Sequence, residues 1–377
     1  MSHESSVIDL VVRATATSSP AKRSLARSGA QKGACTAPEF EAVRVARGKR
    51  SGATIAIAVH RTVEDRSLGG CRMWHYDEPG DAVADAERLA RSMSLKAAAA
   101  GLSLGGAKAV IALPEGDPPT GVARERLLRD FAELIESFQG RYITGQDVGV
   151  SEYDISRLGH FTRHVAGRPV AEGGAGDPSP YTARGVEAGI RASFEGSLRG
   201  RHAVVLGLGH VGGALARRLH AAGARLTLSD VDQRKRALAD ELGASWVTPG
   251  EALTVAADVL APCALGGVFD HETVRSLEVP VIAGAANTQL VDDDVAEALA
   301  ARGITWAPDF IINAGGLIAV ASELGGFERE RALRAVDAIA DTLSEVYARA
   351  RSNRVSTLAA AKSLAHERLS RTSPLAA

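Results

Sequence analysis

The sequence predicts an α/β protein of two domains, and three observations carry that prediction. Its 377 residues are enough for two domains with substantial cores. Strand-length apolar runs alternate with helix-period segments, as they do in α/β architecture. In the second half, His202-Ala203-Val204-Val205-Leu206 runs into Gly207-Leu208-Gly209-His210-Val211-Gly212, then a helical pattern, then a second apolar run ending at Asp230. That is the order of a parallel βαβ unit. Hydrophobic residues make up 45% and charged residues 24%, ordinary values for a globular chain, and the net charge of −1 gives no electrostatic case for nucleic acid or an anionic membrane. The three cysteines, Cys35, Cys71 and Cys263, are odd in number and lack a C-x-x-C pair, so neither a disulfide framework nor a metal site is expected. No apolar run approaches the roughly 18 residues of a membrane span. The expectation is a reduced, cytoplasmic protein.

Taken in order, residues 1–37 are Ser/Ala-rich without sustained periodicity and are expected to be a disordered extension. Phe40–Ala46 and Thr54–His60 flank the basic turn Arg47-Gly48-Lys49-Arg50-Ser51-Gly52 and predict a β-hairpin. Leu68-Gly69-Gly70-Cys71-Arg72-Met73-Trp74 follows, where the glycine pair implies either a close backbone approach or a plain turn. Residues 81–100 read as one helix with an acidic first turn. On it Ala86, Leu89, Met93, Lys96 and Ala100 share a face, which puts Lys96 on the apolar stripe. There it either snorkels to solvent or meets an anionic ligand.

The octapeptide Gly101-Leu102-Ser103-Leu104-Gly105-Gly106-Ala107-Lys108 is expected to be a glycine-dense loop that opens into a strand from Lys108 to Leu113. A lysine at that entrance would sit close to the interior, where burial disfavours its charged form and suits it to act as a base; the alternative is a tight turn with the lysine in solvent. The segment 122–138 is an amphipathic helix, and Arg141–Ile143 a strand that ends in Thr144-Gly145-Gln146-Asp147-Val148-Gly149. Asp147 thus stands just past a strand's carboxyl end, as a ligand-handling group or as a local turn cap. Gly173–Pro180 breaks the pattern and predicts a hinge.

The βαβ unit carries the most specific signal. Gly207 would make the turn, Gly209 admit a pyrophosphate, and Gly212 allow close helix packing, while the helix N-terminus at His210 and Val211 offers donors to phosphate. Asp230, 23 residues after Gly207, has the spacing of the acid that binds a ribose. Its carboxylate would repel a 2′-phosphate and so favours NAD over NADP, moderated by Arg234, Lys235 and Arg236 nearby. Further strands end at Cys263-Ala264, at Asn287, and near Asn313-Ala314-Gly315-Gly316, lining a crevice for the cofactor. Cys263 reads as a small neighbour of the cofactor rather than a nucleophile. Residues 328–352 and 355–371 are helical in period.

With these stretches in view, the chain resembles the Glu/Leu/Phe/Val amino-acid dehydrogenase family, in its leucine/valine/phenylalanine branch. The resemblance runs through Gly69–Met73, Met93–Ala100, Gly101–Ile111, Ile143–Gly149, Ser179–Val186, the Gly207 loop, Ala261–Gly266, Ala283–Leu290 and Pro308–Gly316, in the family's order. It implies an N-terminal α/β catalytic domain (38–177) and a Rossmann-type dinucleotide-binding domain (178–352) separated by a cleft, with a last helix, 353–371, returning to the first. It further implies an NAD-dependent oxidoreductase that deaminates a hydrophobic L-amino acid reversibly, and a homo-oligomer with no nucleic-acid or membrane partner.

By the same resemblance Lys108 is the catalytic lysine that activates water, and Asp147 exchanges a proton with the substrate nitrogen. Lys96 binds the substrate carboxylate, Asn287 lies near substrate and nicotinamide, and Thr182 contacts the nicotinamide amide. Gly69 and Gly70 stand beside the substrate, and Leu68, Gly145, Leu317 and Val320 match positions that line the side-chain pocket. Their character favours leucine, valine or isoleucine. The alternatives are a phenylalanine dehydrogenase, for which Gly145 makes room, or a cofactor-binding relative without catalysis. Ala107, Cys71 and Gln146 depart from the family's usual residues without removing a catalytic group.

Overall fold

The hairpin expected near the start is the edge of a mixed sheet in the computed structural model, which describes residues 10–12, 39–113, 115–194 and 196–371. Its strands are β1 (Leu10–Val12), β2 (Ala42–Arg47), β3 (Thr54–Val59), β4 (Ser67–Leu68), β5 (Cys71–His75), β6 (Gly105–Leu113) and β7 (Tyr142–Ile143). The order is β1-β2-β3-β6-β4-β7, with β5 also on β6. β1 falls inside the expected extension and pairs antiparallel with β2; the rest of 1–37 lies outside the described residues.

β4 and β5 keep one register along β6, Ser67 opposite Gly105 and Cys71 opposite Ala109, so they form a single strand interrupted at Gly69-Gly70. Alternation along β3 turns Ala56 and Ala58 toward Ala82, Ala86 and Ala90 of the helix Pro79–Ala99, where small side chains let helix and sheet approach closely. The helix Gly121–Glu136 buries Leu127, Leu128, Phe131, Leu134 and Ile135.

One expectation is corrected here. The glycine-dense stretch is not a loop as far as Lys108: only about residues 100–104 connect, and Gly105, Gly106 and Ala107 are already strand. The reason is crowding. A Cβ on Gly105 would stand 1.8 Å from the Arg61 carbonyl oxygen, and one on Gly69 would stand 1.6 Å from that of Ala107. Glycine permits backbone to pass backbone on both sides of β6.

The described chain divides into two units. One takes in the residues up to Met93, Gly105–Ser151 and Arg157–His164; the other takes in Ser94–Leu104, Glu152–Ser156 and everything from Val165. The expected hinge at 173–180 therefore lies within the second unit. The Glu323 carboxylate holds that region, accepting from the backbone N–H groups of Gly167 (3.0 Å) and Ala175 (2.7 Å).

The second unit is built on a six-stranded parallel sheet: β8 (His202–Leu206), β9 (Arg225–Ser229), β10 (Ser245–Trp246), β11 (Val259–Pro262), β12 (Val281–Ile282) and β13 (Thr305–Trp306). The order is β10-β9-β8-β11-β12-β13. Growth reverses between β8 and β11, and the carboxyl ends of strands at such a switch point form a crevice. The last helix, Thr357–Arg371, buries Ala360, Ala361, Leu364 and Ala365 in this unit's core, and Arg368 donates to the Ala99 carbonyl at 2.6 Å. Among the described residues no helix is long and apolar enough to cross a membrane, and no cluster of His, Cys, Asp or Glu could hold a metal.

Candidate active site

The first unit places Lys108 and Asp147 together. Lys108 sits on β6 opposite Ala58 of β3, with Gly70 across on the other side in the β4–β5 register, and is only 6% exposed. Its Nζ lies 2.6 Å from Asp147 Oδ2. The interior position anticipated for this lysine is thus what the sheet builds, and the solvent alternative is excluded.

Asp147 reaches it because of a bulge. Gly69 and Cys71 donate to the carbonyls of Ile143 and Gly145, but Met73 donates to that of Val148, one residue further than the register allows. Gly149 closes the bulge at φ +78°, where a Cβ would also strike the Met73 carbonyl oxygen at 2.3 Å. Behind the pair, Tyr142 is fully buried and donates to the Gly69 carbonyl at 2.8 Å. Burial pushes the Asp147 carboxyl up, but the Lys108 ammonium, its hydrogen bond and the Arg72 charge outweigh burial and hold it below the ordinary carboxylate range.

The second unit presents the cofactor crevice. Gly207 adopts φ +97°, and a Cβ on it would meet Ala264 at 2.6 Å; a Cβ on Gly212 would stand 1.9 Å from the Gly207 carbonyl oxygen. Gly209 differs, because nothing lies within 4 Å of where its Cβ would be. The helix His210–Ala221 begins here, with Gly209 and His210 exposed and Leu215 and Leu219 buried beneath. Open space at a helix N-terminus on a switch point fits a dinucleotide's pyrophosphate. Asp230 accepts from Leu208 N–H (2.6 Å) and Asp232 N–H (2.9 Å), so it fixes the loop. Arg234 is paired with Asp232 at 2.9 Å. Burial pushes the Cys263 thiol up to about 12, which agrees with a neighbour rather than a nucleophile.

Thr182 donates to the Pro178 carbonyl (3.1 Å) on the helix Ser179–Ala192, and its Oγ1 lies 2.8 Å from where a Cβ of Gly316 would be. Asn287 Oδ1 accepts from Asn313 Nδ2 at 2.8 Å. Leu317 and Val320 lie three apart on one face of Gly315–Ala321, both half-buried. Leu68 and Gly145 are buried in the first unit. Lys96 stands in the last turn of Pro79–Ala99, half-buried, and its charge acts on Asp309.

Several functional neighbours were not assigned from sequence. Arg72 was quoted only as part of a glycine motif, yet its Nε lies 3.5 Å from Asp147 Oδ2. The signal was available: Arg72 is two residues past Gly70, the partner of Lys108, and period-two alternation puts it on the lysine's face. Asp85 and Tyr76 had no such signal, since their place beside Arg72 depends on how the helix Pro79–Ala99 packs on the sheet.

Comparison with known proteins adds a separate line. Residues 40–164 match the Glu/Leu/Phe/Val dehydrogenase dimerisation domain, and 227–374 the glutamate/leucine/phenylalanine/valine dehydrogenase domain. A leucine dehydrogenase from Bacillus cereus is 42% identical over 88% of this chain and 91% of its own length. A valine dehydrogenase from Streptomyces virginiae is 41% identical over 88% and 94%. The crystal structure of L-tryptophan dehydrogenase from Nostoc punctiforme superposes with a TM-score of 0.78 at 36% identity, covering 89% of this chain and 97% of that one.

Proposed function

The chain belongs to the Glu/Leu/Phe/Val dehydrogenase family and is an amino-acid dehydrogenase with a nucleotide-binding fold, and from that premise we propose that it deaminates a branched-chain L-amino acid, reversibly and with NAD, to the 2-oxo acid and ammonia. The observation that carries the proposal is the buried contact of 2.6 Å between Lys108 Nζ and Asp147 Oδ2. A lysine held from water beside a carboxylate can exchange a proton with it at one short distance, which is what general acid–base work at a substrate nitrogen requires.

NAD, when bound, takes up the hydride from the substrate Cα. The remaining work belongs to side chains. Lys96 pairs with the substrate carboxylate. Lys108 removes a proton from the water that attacks the imine carbon, and Asp147 delivers one to the departing nitrogen. Asn287, held by Asn313, orients the reacting groups. In the second unit the Gly207–Gly212 turn, Asp230, Thr182, Cys263 and Ala264 hold the dinucleotide. The preference for NAD rests on the Asp230 carboxylate and on the engagement of Arg234 by Asp232, which occupies one of the cations that could otherwise meet a 2′-phosphate. We also propose a homo-oligomer, in line with the dimerisation-domain match.

The leucine, valine and tryptophan relatives named above do not choose among substrates by their identity to this chain. The branched-chain reading rests on Leu68, Leu317 and Val320, and Gly145 supports an aromatic substrate as the second reading. Such pockets discriminate by about 1–3 kcal/mol per methylene. The test is a panel of L-leucine, L-valine, L-isoleucine, L-phenylalanine and L-tryptophan with NAD and with NADP, followed by absorbance of the reduced nicotinamide at alkaline pH. Branched-chain substrates with NAD are expected to give the highest kcat/KM. Reduction with none of the five would sink the proposal.

A further inference from the structure

Lys108 and Asp147 do not stand alone on their face of the sheet. Arg72 on β5 points to the same side, diagonal to Lys108, and its Nε lies 3.5 Å from Asp147 Oδ2. Both of those atoms are buried; Asp147 Oδ2 is also the oxygen that Lys108 Nζ approaches at 2.6 Å, while Arg72 Nε has no other polar partner among the described residues. The other end of the guanidinium is anchored: Arg72 Nη1 donates to Asp85 Oδ2 at 3.0 Å. Asp85 is fixed in turn by Tyr76 Oη on the same oxygen (2.7 Å) and by Arg88 on the other (2.6 Å). The helix Pro79–Ala99 thus steadies an arginine that faces the reacting pair across the bulge.

We infer that Arg72 is a positioning residue: clamped through Asp85, its guanidinium keeps Asp147 a carboxylate turned toward Lys108. The inference rests on the reading of Lys108 and Asp147 as the proton-handling pair and adds a third member to it. The groups that face Asp147 are Lys108 from β6, Arg72 from β5 and the buried Tyr142 of β7, with Cys71 acting on Tyr142 and with Asp85, Tyr76 and Arg88 behind Arg72. Taking a positive charge away from such a pair makes it hold its proton more tightly. Activity that needs the proton released then moves to higher pH.

The test is the pH profile of kcat/KM for oxidation of the best amino acid of the panel, in the native protein, Arg72→Gln, Arg72→Lys and Asp85→Asn. Arg72→Gln is expected to move the acidic limb up by about one unit, the lower end of what an opposite charge within ~4–6 Å does. Its kcat should fall on the order of tenfold while KM for NAD is unchanged. Arg72→Lys should restore most of the limb, and Asp85→Asn should move it the same way by less.

An acidic limb in Arg72→Gln that coincides with the native one overturns the inference, and so does a lysine variant no better than glutamine. If Arg72→Gln fails to fold by circular dichroism, Asp85→Asn decides, because it keeps the arginine and removes only the anchor. Lys108→Ala separates the two levels. Near-native turnover there defeats the underlying reading, whereas an inactive Lys108→Ala with an unmoved Arg72→Gln limb defeats the role of Arg72 alone.

Discussion

Asp147 in the first unit and Asp309 in the second are both largely shielded carboxylates, yet their acidities move in opposite directions. Burial pushes each upward. At Asp147 the Lys108 ammonium in direct contact, with Arg72 behind it, wins and lowers the carboxyl. At Asp309 burial wins and raises it, against the N–H groups of Gln289 (3.0 Å) and Phe310 (2.7 Å) and the charge of Lys96. The difference teaches that burial alone does not mark a working acid or base. What matters is whether a cation is held in contact, and that depends on the sheet register and one bulge.

The largest expected effect breaks the contact itself. Lys108→Ala should lower kcat/KM by roughly 10²–10⁴-fold, the contribution of a general base, as read by steady-state kinetics on the purified variant. A loss below tenfold would leave Lys108 as a structural partner of Asp147.

Gly69 of the first unit and Gly209 of the second also differ, the one crowded and the other open, and a pair of variants sharpens that contrast. Gly69→Ala drives a methyl into the Ala107 carbonyl, and overpacking of this kind costs about 1–3 kcal/mol or more. Gly209→Ala meets open space, and at φ −66° its backbone does not need glycine. Urea unfolding should separate them, with Gly69→Ala clearly destabilised and Gly209→Ala close to native. Gly209→Ala should instead raise KM for NAD, because the methyl occupies the approach to the pyrophosphate. A native KM would move the phosphate site elsewhere.

The carboxylates themselves predict opposite pH dependence of stability. A lowered carboxyl such as Asp147 stabilises the fold above its unfolded value of about 3.9, and that contribution is lost as pH falls through the lower folded value. A raised carboxyl such as Asp309 favours the fold below the unfolded value, and that contribution is lost as pH rises toward the folded value. Comparing unfolding midpoints between acid and neutral pH, Asp147→Asn should lose most relative to native at the upper end. Asp309→Asn should compare best there. Parallel curves for the two variants would show that contact with Lys108 does not govern the difference.

The smallest effect is expected at Cys263, whose thiol burial pushes up to about 12. At neutral pH it should resist iodoacetamide, and Cys263→Ser should keep kcat within about twofold, as a small neighbour would. Rapid alkylation that abolishes activity would require a thiolate in the crevice.

The cofactor unit was nearly complete in the sequence because its signals are local. Gly207, Gly209, Gly212 and Asp230 fall within one βαβ span; in the structure Gly207 turns the chain at φ +97°, Gly212 packs against it, and Asp230 braces the loop through Leu208. The first unit was legible only in parts. Lys108 and Asp147 stand 39 residues apart, and each alone admitted a bland reading as a turn residue. Arg72 went unassigned although strand alternation puts it on the face of Lys108, and Asp85 meets it only through the packing of the helix Pro79–Ala99. Local pattern likewise misread Gly105 and Gly106, which belong to a strand crowded from both sides, and it placed a hinge where Glu323 pins the backbone of Gly167 and Ala175.

By itself, then, the sequence determined the α/β class, the glycine turn of the βαβ unit and the family, since these follow from periodicity and from short motifs whose residues act on near neighbours. Only the tertiary structure decided which charges touch. A parallel register set Gly70 against Lys108, a single extra residue swung Asp147 inward, and a helix brought Asp85 to Arg72. Coulomb energy falls with distance and exposed charges are screened beyond about 8–10 Å, so a strong effect on a proton needs charges in contact. Placement at that scale is set by pairing between distant segments, which no local pattern encodes.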